Sequence, residues 1–130
     1  LKYATSSICA FTDGKGYTIG SIEGRCGIVN IDLNAPETKS CSDFCFRCHR
    51  NENSSSRDGD VYTVNSISFN KIHNTFVTCG SDGCYITWSK DTRSRLKGSE
   101  KCPLPITVCS FSDDASIMVF ASGEDWNQGA

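Results

Sequence analysis

No run of apolar residues in this 130-residue chain approaches the ~18 that a helix needs to cross a bilayer. No window repeats apolar residues at i, i+3, i+4 and i+7, so amphipathic helices are not expected either. A dominant charge is missing too. The chain has 13 Lys and Arg against 15 Asp and Glu, a net of −2, and so lacks a chain-wide footprint for nucleic acid or an anionic membrane. The opening residues, LKYATSSICAF, show no charged segment followed by an apolar one, hence no secretory leader. With no methionine at position 1, the chain reads as a piece of a longer protein. Catalytic signatures are equally scarce. There is no phosphate-binding glycine loop opening a helix, no Ser or Cys in a nucleophile elbow and no pair of carboxylates on a definable face. No enzyme, no cofactor and no small-molecule substrate are expected.

Cysteine is abundant instead, with nine residues. That approaches the density of a disulfide scaffold, but the number is odd and the placement is wrong for one. Cys9, Cys26, Cys79, Cys84 and Cys109 sit inside apolar runs such as SSICAF and ITVCSF, where a thiol behaves as a small buried hydrophobe. Without a leader, reduced cysteines in an intracellular protein are expected. The segment CSDFCFRCHR, Cys41 to Arg50, needs its own argument. Cys45, Cys48 and His49 have the C-x-x-C-H spacing of covalent haem attachment, and Cys41 adds a third thiol. A metal or haem protein built on Cys41, Cys45, Cys48 and His49 is the alternative from another class. His49 is expected to be a structural histidine with buried hydrogen bonds.

Three segments echo one another, beginning at ICAF, SISF and VCSF. Each has an apolar run ending in Phe (Phe11, Phe69, Phe111), a polar turn, a second apolar run and a tight turn. The runs are short, rich in Val, Ile, Thr, Phe and Tyr, and bounded by Gly, Asp and Asn, so they are strands. Glu23-Gly24 and Asp82-Gly83 supply hairpin turns with a positive φ. Strands are expected near residues 8–11, 17–22, 26–33, 43–49, 61–69, 75–80, 84–89 and 106–111. The spacing from Phe69 to Phe111 matches the ~40–45 residues of a WD40 repeat. The longer first interval holds a polar insert. The expected fold is therefore all-β, a WD40 β-propeller fragment of about two and a half blades. Residues 1–50 make one blade, 51–60 a surface loop insert, 61–101 a second blade and 102–130 a partial one. Such a piece cannot close a ring, so further blades are expected before Leu1 and after Ala130.

GSIEGR (20–25), FRCHR (46–50), YTVNSISF, IHNTFVTCGSDG and the final DW (Asp125, Trp126) occur in that order. Together they resemble the C-terminal half of the nuclear mRNA export factors, seven-bladed WD-repeat propellers that dock on the GLFG nucleoporin. The mitotic checkpoint propellers of the kinetochore are a sister family and the neighbouring alternative. KDTRSRLKGSE after Trp88 favours the export factors. Ser89, the Ser-rich insert and the cysteines at 26, 41 and 45 depart from the pattern. The resemblance implies a non-catalytic scaffold in the nucleus, at the nuclear pore complex and also in the cytoplasm. It further implies that CSDFCFRCHR is an outer strand, which makes the haem spacing accidental. By resemblance, Arg25, Lys90 and Arg95 form one basic site for glutamates of the partner's GLEBS segment. Phe46, Trp88 and Arg93 form a rim for its apolar side chains. Single-stranded RNA is a further partner the basic rim would admit. No membrane contact is implied.

Overall fold

Short β-branched and aromatic runs between Gly, Asp and Asn turns form strands throughout the computed structural model, and no helix occurs among the described residues. Those residues are 1–31, 41–51, 53, 55 and 59–124. Half of the insert and the Asp125-Trp126 pair lie outside them. The first sheet is a meander of β1 (Thr5–Ala10), β2 (Gly16–Ser21), β3 (Arg25–Asn30) and β4 (Cys41–Arg47) in sequence order. A two-residue pair, β5 (Arg50–Asn51) with β6 (Asp60–Val61), pinches the base of the insert. The second sheet is β7 (Val64–Asn70), β8 (Thr75–Gly80), β9 (Tyr85–Ser89) and β10 (Ser94–Gly98). A hairpin of β11 (Ile106–Phe111) and β12 (Met118–Ser122) follows.

The sheets stack face to face, with β7 against β1 on one side and β11 on the other. Alternation along β8 serves both interfaces. Phe76 enters the first core with Phe11, Cys26, Ile28, Val64, Ile67 and Phe69, whereas Val77 and Cys79 enter the second with Ile106 and Cys109. Phe69 stacks on Phe76 at 5.0 Å and tilts against Phe11 at 5.2 Å, geometries that add to area burial. Polar side chains stitch the neighbours. Ser6 and Ser7 hydroxyls donate to the Val64 carbonyl, Asn65 Nδ2 donates to the Ile106 carbonyl at 2.8 Å, and Ser68 Oγ accepts from the Phe111 amide.

Three differences from the sequence expectation have local causes. The outer strand β4 stops at Arg47 rather than running through His49, because the Cys48 amide turns to donate to the Gly24 carbonyl at 2.9 Å. Residues 94–98, absent from the expected strands, form the edge strand β10 with a register shift between Arg95 and Lys97. Charges and irregularities of this kind protect a sheet edge from mispairing. Met118–Ser122 completes a hairpin whose second strand was missing from the expected set.

Candidate docking surface

The tight turns set the position of each candidate residue. Gly24 (φ 66°) and Gly83 (φ 76°) hold the turns after β2 and β8 in the left-handed region. A side chain at Gly24 would collide with the His49 carbonyl, so the backbone of residues 48–49 lies directly over the turn. Arg25 therefore starts β3 at a fixed place, directly opposite Arg47 on β4. Two arginines in a cross-strand pair repel each other, and Glu23 provides only a loose contact to Arg25 at 3.6 Å. Lys2, Tyr3 and Arg50 join them around an open cleft of about 520 Å³. The Nε atoms of Arg25 and Arg50 are buried and have no hydrogen-bond partner.

A second, narrower cleft of about 40 Å³ lies between the sheets, lined by Phe44, Phe46, Phe76, Trp88, Ser89 and Arg93. Period two along β4 puts Phe44 and Phe46 on one face, 6.0 Å apart. The Phe46 ring meets the Trp88 ring at 4.6 Å, and the Arg93 guanidinium lies 4.5 Å over Phe44. The structure thus brings together the predicted rim of Phe46, Trp88 and Arg93.

It does not gather Arg25, Lys90 and Arg95 into one site. Lys90 opens the turn after β9, and its ammonium donates to Asp13 at 3.3 Å and covers the Phe11 ring at 3.8 Å. Asp13 is in the turn before β2, whereas Arg25 follows the turn after it. The two turns are separated by a strand length, roughly 20 Å for six residues. Successive hairpin turns alternate between the ends of a sheet, which forbids the shared basic site. Arg95, on the outer strand, folds its guanidinium back over Gly98. Lys2, Tyr3, Phe44, Arg47 and Arg50 were not singled out from the sequence. The alternation FCFR, with Arg47 opposite Arg25, was the legible signal for Phe44 and Arg47. Lys2 and Tyr3 arrive from the chain start and carry no local signal.

Between the clefts runs a buried polar chain. Trp88 Nε1 donates to Thr78 Oγ1 at 3.0 Å, Thr78 Oγ1 meets His49 Nε2 at 3.0 Å, and His49 Nδ1 meets the Asp82 carboxylate at 2.9 Å. Every partner is satisfied when His49 carries its proton on Nδ1 and the Thr78 hydroxyl donates to Nε2. His49 is fully buried and both ring nitrogens are occupied, so it serves the fold and is not a haem or metal ligand. Cys45 is exposed opposite Gly27, on the other face of β4 from Phe46. Among the described residues no three metal-ligating side chains converge. The Cys41 side chain lies outside them.

Three stacked antiparallel sheets in this arrangement make the chain a partial WD-type β-propeller. The solved β-propeller domain of Myceliophteria thermophila Cps50 (Swd1) shares the fold with a TM-score of 0.69, at 12% identity, over 96% of this chain and 34% of that one. No family model matches. Homologues match over the whole chain. It is 42% identical over 130 residues to "Protein RAE1" of Arabidopsis thaliana, covering 100% of this chain and 34% of the relative. It is 43% identical over 129 residues to the "Poly(A)+ RNA export protein" of Schizosaccharomyces pombe, covering 99% of this chain and 35% of the relative. The chain spans about a third of the length of these relatives.

Proposed function

We propose that this chain is part of a non-catalytic propeller scaffold that acts in mRNA export from the nucleus. It docks an acidic segment of a nuclear pore protein, of the GLEBS type carried by the GLFG nucleoporin. The observation that carries the reading is the Arg25–Arg47 cross-strand pair on the wall of the open cleft. Two cations held opposite each other favour a ligand with carboxylates that can take parallel hydrogen bonds. The aromatic cleft, on the other face of β4, offers rings to an apolar side chain farther along the segment, and its small volume fits one side-chain end. Aromatic and Arg composition of this kind is that of an interface hot spot. The homologue named for poly(A)+ RNA export supports the process. Nuclear and nuclear-pore residence follows from that process and is part of the same proposal.

The test is calorimetric titration of the full-length protein with a GLEBS peptide and with the same peptide carrying Glu→Gln changes. Tight binding that weakens on Glu→Gln exchange and with added salt supports the reading. Equal affinity for both peptides, or binding of single-stranded RNA alone, contradicts it.

A further inference from the structure

We propose that Cys26 and Cys48 form a reversible disulfide, a modification site on the strands that carry the docking residues. The two sulfurs lie 3.6 Å apart and both thiols are free. A disulfide bond is about 2.05 Å long, so closure needs an approach of roughly 1.5 Å. Cys26 stands on β3 and is fully buried; Cys48, half-buried, lies just beyond β4. The Cys48 thiol rests against the Gly24 carbonyl at 3.3 Å, a weak contact that can be given up. Its amide bond to the same carbonyl is independent of the thiol and holds the segment in place during closure.

Among the described residues, Cys26 and Cys48 are the cysteine pair with a sulfur–sulfur contact and one partly exposed member. Cys79 and Cys109 are neighbours, but both are buried and Cys109 is engaged with Ser66. Cys45 is exposed but faces Gly27 across the sheet. Of the pair, Cys48 is the thiol that a small disulfide can reach. Its thiolate attacks one sulfur of the reagent and releases one thiol. The Cys26 thiol then gives its proton to water, attacks Cys48 Sγ and expels the second thiol. Two electrons pass from the protein sulfurs to the reagent, which leaves as two thiols. The neighbouring Cys48 sulfur, and then burial, push the Cys26 thiol well above its ordinary range, so ring closure quickens as pH rises.

The site does not depend on what docks beside it. The full-length protein is incubated with oxidised glutathione under native conditions, alkylated and mapped by mass spectrometry. The expected product is one linked pair, Cys26 to Cys48, reversed by dithiothreitol and absent in Cys48→Ser. Cys48 capped by glutathione while Cys26 remains free to alkylate overturns the proposal, as does linkage of Cys48 to Cys45. Cys45→Ser keeps the test sound, since it leaves both buried partners in place and is expected to give the same linked pair.

Discussion

Arg93 has a φ of 54°, a left-handed conformation that costs a residue with a Cβ about 1 kcal/mol or more. Its guanidinium lies over Phe44, a contact worth roughly 0.5–1 kcal/mol at an exposed site. The two nearly cancel, so Arg93→Gly is expected to leave thermal stability almost unchanged, as differential scanning calorimetry of the full-length protein would show. The buried chain through Thr78 behaves differently. Thr78→Val leaves His49 Nε2 and Trp88 Nε1 without partners in a dry interior. Each unmet group costs about 1–3 kcal/mol, so denaturant unfolding should show a loss of at least about 2 kcal/mol. Retained stability would mean that the chain of hydrogen bonds is not intact. His49 was readable in sequence as a structural histidine because it is polar and embedded in a strand-rich segment. Its partners were not, because Thr78 and Asp82 lie 29 and 33 residues away and meet it only through the stacking of two sheets.

At the scale of elements, the apolar runs announced most strands because alternation and turn glycines are local signals. β2, β8, β9 and β11 were read within a residue of their bounds, whereas β1, β4 and β7 were displaced by two or three residues at one end or both. β10 was hidden because SRLKG is an exposed edge strand whose pairing with β9 comes from its neighbour and not from its own hydrophobicity. The two faces of β8 lead to a comparison. Phe76→Ala removes a fully buried ring from the first core and should cost about 3–5 kcal/mol in denaturant unfolding. A cost under about 1 kcal/mol would place Phe76 outside that core. The turn after β11 offers a pH test. Asp114 accepts from the Ser112 hydroxyl and from the Ser116 hydroxyl and amide, which lowers its carboxyl to about 2. A depressed folded pKa means the turn is held above the unfolded value near 3.9 and released as pH falls through about 2. Amide exchange at Ser116 should quicken over that window in the native protein and be pH-independent in Asp114→Ala, after correction for intrinsic rates.

The whole molecule is a stack of sheets whose outer surfaces stay apolar. Ile8 of β1 on one side and Val108 and Val119 of the last hairpin on the other are exposed. Exposed β faces of this kind associate. The 130-residue chain produced alone is therefore expected to self-associate with rising concentration in analytical ultracentrifugation, and Val119→Lys should reduce that association. The blade pattern was legible because each repeat carries its own strands. The candidate docking surface was legible only in part. Phe46, Trp88 and Arg93 lie together across two sheets, whereas Lys90 lies at the end of the first sheet opposite Arg25. The most direct measurement is the affinity of a GLEBS peptide for the full-length propeller, in wild type, Arg25→Ala and Arg93→Gly, with melting temperatures recorded alongside. The account predicts that each substitution weakens binding at least about tenfold, roughly 1.4 kcal/mol, with stability nearly unchanged. Wild-type affinity in both variants at low salt would contradict it.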